Sequence, residues 1–120
     1  MHQEKLFCYG TIRYASVQLA LFGRELTGKP DILPGFSLSK IKITDLNVVE
    51  TSNEAEHPII TFTGSLDDQV YGTVFDINQD ELMKADSYET DDYRRIQVQL
   101  ESGITAWVYV DAKSTYQGVK

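Results

Sequence analysis

The sequence predicts one α+β domain whose strands are mainly antiparallel, and three observations lead there. Short segments rich in β-branched and aromatic residues recur at 59–62, 70–77, 96–100 and 104–110, each of strand length. Gly, Asp and Ser turns join consecutive segments, as between neighbouring antiparallel strands. Asn78 followed three residues later by Glu81 is a helix-start signature set directly after a strand. At 120 residues the chain has the length of a single domain, spanning 1–120.

Residues 5–9, Lys5-Leu6-Phe7-Cys8-Tyr9, read as a short buried strand stopped by Gly10. Ser16 is placed to cap a helix over 17–22 that ends near Gly23. Pro30, Pro34 and Gly35 mark turns. Phe36 and Leu38 then hold one parity and Ile41 and Ile43 the other, which predicts a strand with a bulge near Ser39 and Lys40. Residues 47–58 carry Glu50, Ser52, Asn53, Glu54, Glu56 and His57, with Val48 and Val49 the only aliphatics before Pro58. Such a stretch predicts an exposed loop with room to act as a flap.

Residues 59–62 and 70–77 read as two strands joined through Gly64, Asp67 and Asp68 into an antiparallel hairpin. The Asn78–Glu81 box opens a short helix, with Asp80 in its first turn and Leu82, Ala85 and Met83 turned inward. Ile96, Val98 and Leu100 alternate with Gln97 and Gln99, and Ser102-Gly103 turns the chain into residues 104–110. There both parities are apolar or aromatic, which predicts the most buried strand. The polar residues 111–120 are expected to fray or drape over the surface.

Composition excludes several classes of function. A net charge of −7 repels polyanions, so nucleic acid is not an expected partner. Apolar runs are too short to span a membrane, and His2-Gln3-Glu4-Lys5 is no secretory leader, so a cytoplasmic location is expected. Cys8, the single cysteine, cannot form an internal disulfide and is expected as a buried, inert thiol.

Two segments can carry chemistry. Phe7 to Arg13 runs from a strand through Gly10 into a helix and offers successive backbone N–H groups that can cradle a carboxylate or a polarised carbonyl oxygen, with Arg13 adding charge at the rim. Asp86-Ser87-Tyr88-Glu89 ends a helix, with Asp91, Asp92, Tyr93 and Arg94 beyond it. Turned inward beneath Tyr88 and Tyr93, Glu89 would have a raised pKa suited to proton transfer near neutral pH; turned outward, it is an ordinary loop glutamate.

Other chemistries fail on spacing. Asp76, Asn78 and Asp80 imitate a calcium loop, but Glu81 stands where its glycine belongs and Ser87 where its bidentate glutamate belongs. His2, His57 and Cys8 make neither a zinc set nor a Cys-His pair, and His57 beside Pro58 reads as a loop residue. No G-x-S-x-G elbow, Walker loop or dinucleotide fingerprint is present, so an enzyme here is expected to need no cofactor and no metal.

Leu6-Phe7-Cys8-Tyr9-Gly10-Thr11-Ile12-Arg13 resembles the hydrophobic-Tyr-Gly-Thr-Leu-Arg signature that opens gamma-glutamylcyclotransferase-like domains, with Ile12 for leucine. The resemblance continues at His57-Pro58-Ile59-Ile60, at Val70-Tyr71-Gly72-Thr73-Val74-Phe75, and at Asp86-Ser87-Tyr88-Glu89 with Tyr93-Arg94, and so covers nearly the whole chain. Two departures stand out: Ala85 replaces a leucine, and Thr90-Asp91-Asp92 replaces a glycine-containing turn. The resemblance implies a small mixed, mainly antiparallel β-barrel with two or more short helices. It implies a substrate-binding loop at Tyr9, Gly10, Thr11, Ile12 and Arg13, with Tyr93 beside it, and Glu89 as catalytic acid/base. The length and the Tyr-Gly-Thr loop look closest to the gamma-glutamylamine branch of the family.

The activity implied is a cofactor-independent cyclotransferase, of lyase or acyltransferase type. In it the α-amine of a gamma-glutamyl amine or peptide attacks its own γ-carbonyl and 5-oxoproline is released. Two alternatives stand beside it: a non-catalytic small-molecule-binding or interaction module on the same fold, and another carboxylate-using enzyme on the same barrel. A Glu89 facing the loop amides across a cavity favours catalysis, and a Glu89 in solvent favours the binding module.

Overall fold

The structure, a computed structural model, describes residues 3–118. Its strands are β1 (Gln3–Cys8), β2 (Gly28–Pro34), β3 (Phe36–Lys42), β4 (Glu56–Phe62), β5 (Gln69–Asn78), β6 (Tyr93–Gln99) and β7 (Thr105–Asp111). The helices are α1 (Ala15–Phe22), α2 (Leu46–Ser52) and α3 (Gln79–Tyr88), with a 3-10 turn at Thr11–Arg13. A five-stranded sheet runs in the order β2-β5-β1-β7-β6, and β3 pairs with β4 in a second sheet. Among the described residues only β1 and β7 pair in parallel, so the fold is α+β, mixed and mainly antiparallel. The enclosure is barrel-like but built from two sheets, with β4 packed on β7 in place of one continuous hydrogen-bonded ring.

Alternation along β1 sorts the core into two. Phe7 and Tyr9 face a cluster with Leu33, Phe36, Ile60, Val74, Val98 and Val108, between the large sheet and the β3–β4 pair. Leu6 and Cys8 face the opposite way, against Val17, Val48, Leu82, Ala85 and Tyr88 of the three helices. The loop after β1 therefore emerges where sheet, hairpin and helices meet.

Several expectations are corrected. Helix α1 starts at Ala15 with Tyr14 at its N-cap and no side-chain cap, so Ser16 lies inside it; Gly23 ends it in the left-handed conformation at φ 71°. Strand β3 pairs with β4 without a bulge, from Phe36 opposite Phe62 to Lys42 opposite Glu56. The two parities need no reconciling, because Phe36 packs into one core cluster and Ile41 and Ile43 into the other, while Leu38 is left 56% exposed. Residues 47–58 are not a loop: α2 and the start of β4 occupy most of them. The helix is capped by Asp45, whose side chain accepts from the Asn47 amide, and closed by Asn53 at φ 59°. Burial of Val48, Ser52 and His57 holds it down.

The hairpin expected between 59–62 and 70–77 does not form. Strand β5 is paired along both edges, to β1 on one side and to β2 on the other. β2 holds both prolines read as turns, Pro30 and Pro34, and tolerates them because it is an edge strand. Met83 is 61% exposed rather than inward. The capping box at α3 is present in both directions, and the Ser102-Gly103 turn joins β6 to β7 in register. β7 is largely buried but flanks the central strand β1. The C-terminal segment drapes: Arg94 donates to the carbonyls of Ser114 and Tyr116, and the Tyr116 ring stacks on Phe62 at 3.8 Å. His2 lies outside the described residues. Among the described residues no helix is long and apolar enough to cross a membrane.

Candidate active site

Where β1 runs out, Tyr9 and Gly10 lead into the 3-10 turn, and the amides of Gly10, Thr11 and Ile12 donate to no acceptor among the described residues. The loop is braced from every side. Tyr9 is buried and donates its hydroxyl to the Tyr109 carbonyl at 2.6 Å. The Thr11 hydroxyl shares a 2.7 Å hydrogen bond with that of Tyr88. Buried Gln18 donates to the Ile12 carbonyl at 2.9 Å and accepts from the Leu26 amide, tying α1 to the loop. Gly10 lies close under Pro58, where a Cβ would come within 3.2 Å of the proline ring.

Glu89 is the C-cap residue of α3, where the backbone leaves the helix at φ −69°, ψ 134°. Its carboxyl turns into a recess lined by residues 7–12, His57, Pro58, Glu89, Tyr93 and Tyr109, about 340 Å³ with its open mouth included. Desolvation, with the negative charge of Asp86 as a second cause, raises the Glu89 pKa to about 8. No side chain or backbone group among the described residues hydrogen-bonds that carboxyl.

The tyrosines around it are engaged elsewhere. Tyr93 donates to the Pro58 carbonyl at 2.7 Å, binding β6 to β4. Tyr109 donates to Asp86 at 2.7 Å, and Asp86 in turn pairs with Arg95, whose guanidinium lies 4.3 Å from the centre of the Trp107 ring. Burial, with Glu89 as a further cause, pushes the phenols of Tyr9 and Tyr93 well above their ordinary range, so both stay protonated donors. The buried Cys8 thiol is pushed up in the same way and is inert near neutral pH.

The structure thus brings Tyr9, Gly10, Thr11, Ile12, Tyr93 and Glu89 to one recess and leaves Arg13 outside its lining. Arg13 is exposed and folds back on the loop, donating to the carbonyls of Tyr9 at 2.9 Å and Gly10 at 3.3 Å. It holds the loop's shape rather than offering its charge to the mouth. His57, read from sequence as a loop residue, is 3% exposed and forms part of the wall. Its signal lay in the isolated imidazole beside Pro58, but burial is a property of the fold and not of the residue. Tyr109, which holds Asp86 and accepts from Tyr9, was hidden in an apolar run. No cluster of metal-ligating side chains occurs among the described residues.

One carboxyl with a raised pKa, set in a recess with free backbone amides, is equipment for acid/base chemistry on a small ligand. The chain belongs to the gamma-glutamyl cyclotransferase, AIG2-like family, whose sequence profile matches residues 6–119. No protein of curated function matches it. A solution structure from Arabidopsis thaliana superposes with a TM-score of 0.70 at 22% identity, covering 97% of this chain and 66% of that one. A second from the same plant gives 0.70 at 20% identity, covering 100% and 77%. A structure described as a gamma-glutamyl cyclotransferase also gives 0.70, at 19% identity, covering 92% and 67%. The chain therefore spans just under two thirds of the first of these neighbours and somewhat more of the others.

Proposed function

We propose that this chain is a cyclotransferase that releases 5-oxoproline from a γ-glutamyl amine or γ-glutamyl peptide. The observation that supports it most is Glu89: a carboxyl with a pKa near 8, turned into the recess that the free amides of the loop also line. A binding module that had lost catalysis has no need of a poised carboxyl there, and family membership favours this chemistry over other acid/base reactions.

In the reaction, the loop amides of Gly10, Thr11 and Ile12 hold the glutamyl group folded so that its α-nitrogen meets its own γ-carbonyl carbon. Glu89 as carboxylate takes a proton from the α-nitrogen while the new carbon–nitrogen bond forms and negative charge collects on the carbonyl oxygen. Loop amides oppose that charge. Glu89 then gives the proton to the departing nitrogen as the amide bond breaks, leaving 5-oxoproline and a free amine. No water is consumed.

The test is product analysis. The purified protein is incubated with γ-glutamyl amino acids, γ-glutamyl-ε-lysine and glutathione, and products are separated by mass. Release of 5-oxoproline supports the reading. Release of glutamate makes the protein a hydrolase, and no product from any member of the panel favours the binding module.

A further inference from the structure

His57 has a role in the recess that the family resemblance does not supply. Its Nε2 lies 3.1 Å from the Ser52 hydroxyl and 3.2 Å from the Glu54 carbonyl. The carbonyl can only accept. The serine hydroxyl already donates to the Val48 carbonyl at 2.9 Å, so toward the imidazole it too accepts. Nε2 therefore carries the ring hydrogen, and with burial holding the pKa below its ordinary value, the ring is neutral near pH 7.

Nδ1 is then a bare lone pair. It meets no donor among the described residues, and among these residues no buried side-chain nitrogen or oxygen is left without a partner, so Nδ1 borders open space. The residue is 3% exposed, and the space it borders is the recess. Stacking on the Tyr88 ring, with centroids 6.4 Å apart and planes 28° from parallel, keeps the imidazole from turning.

The remaining oxygen- and nitrogen-bearing side chains of the wall are engaged: Tyr9 with Tyr109, Thr11 with Tyr88, Tyr93 with Pro58, and Tyr109 with Asp86. Glu89 and the His57 Nδ1 are the two acceptors of the wall that take part in none of these hydrogen bonds. Resting on the reading above, we propose that His57 accepts a hydrogen bond through Nδ1 from the α-amine of the γ-glutamyl substrate, steering that nitrogen toward the γ-carbonyl beside Glu89. The proton itself still passes to Glu89, because a lone pair that only positions the nitrogen need not leave its neutral state.

The test is ¹⁵N NMR of the wild-type protein labelled at histidine and backbone nitrogen, with His57→Asn used to assign the ring signals. L-glutamine, a γ-amide with the α-amine, is compared with glutaramate, the same molecule without it. The expected result is an Nε2–H tautomer in the free protein and an Nδ1 signal that moves with glutamine but not with glutaramate. Kinetically, His57→Phe should raise KM roughly tenfold, while His57→Asn, whose Oδ1 replaces the Nδ1 acceptor, should stay within about threefold. An Nδ1–H tautomer, or loop amides that shift with glutamine while Nδ1 does not, overturns the proposal and leaves the cyclotransferase reading standing. No shift at any nitrogen, together with no 5-oxoproline from the substrate panel, overturns both.

Discussion

Thr11 and Tyr88 join hydroxyls at 2.7 Å across 77 positions of sequence, and that bond links the loop after β1 to the last turn of the helix that ends at Glu89. Both residues are buried, at 5% exposure each. Removing the phenol oxygen leaves the Thr11 hydroxyl without its partner, so Tyr88→Phe should cost about 1 kcal/mol of stability. It should also loosen the loop relative to the carboxyl, lowering kcat more than binding of 5-oxoproline; chemical denaturation and steady-state kinetics read the two effects.

The raised pKa of Glu89 makes activity depend on pH. The carboxylate is the form that accepts the first proton, so kcat/KM should rise with pH to a plateau, with a midpoint near 8 in the free protein. An activity flat from pH 6 to 9 would remove Glu89 from the proton transfer.

The same shift carries a stability signature. Folded Glu89 holds its proton up to about pH 8 against an ordinary value of 4.5. Between those values the folded state binds more protons than the unfolded one, so stability is greatest below 4.5 and declines as pH rises toward 8. Glu89→Gln cannot ionise and escapes the penalty. Above pH 8.5 it should be more stable than wild type by on the order of 4 kcal/mol, and the gap should close only as pH falls to about 4, below the unfolded pKa, as thermal melts across pH will read.

Glu81 behaves in the opposite sense. It receives a bidentate pair from Arg24 at 2.8 Å and closes the capping box on Asn78, and the Arg24 hydrogen bond lowers its pKa. That stability is present above the ordinary carboxylate range and is lost as pH falls through the lowered folded value. Arg24 is half exposed, so screening keeps the effect small. Glu81→Gln should cost about 1 kcal/mol at pH 7, and that cost should shrink as pH falls below the ordinary carboxylate range.

Gly72 packs β5 against β1 so closely that a Cβ would collide with the Cys8 carbonyl and lie 2.7 Å from the Phe7 ring. Gly72→Ala should destabilise the domain by about 1–3 kcal/mol and displace the strand end that feeds the loop, with activity falling further than stability. Both can be read on one preparation by denaturation and 5-oxoproline release.

These residues mark what the sequence makes legible. The Asn78–Glu81 box and the β6–β7 turn are local signals, and both are found where they are read. Tyr9 to Ile12 and Glu89 stand out through the pairing of two motifs, and the fold brings both to one recess. Helix α2 escapes because Leu46, Val48 and Val49 are its only apolar residues and Leu46 is exposed, and its cap, Asp45, lies before the polar stretch that draws the eye. Strand β2 escapes because two prolines suit an edge as well as a turn. Which strand pairs with β5 is decided by contacts far apart in sequence, as are the burial of His57 and the engagement of every tyrosine hydroxyl in the recess.

The account rests most heavily on Glu89, and the most direct test compares 5-oxoproline release by wild type and Glu89→Gln on the same γ-glutamyl substrate. Circular dichroism and thermal melts establish that both are folded. The account predicts steady release by wild type and a loss of about a hundred- to ten-thousand-fold in Glu89→Gln, with substrate binding retained. A folded Glu89→Gln that releases 5-oxoproline at the wild-type rate would contradict it.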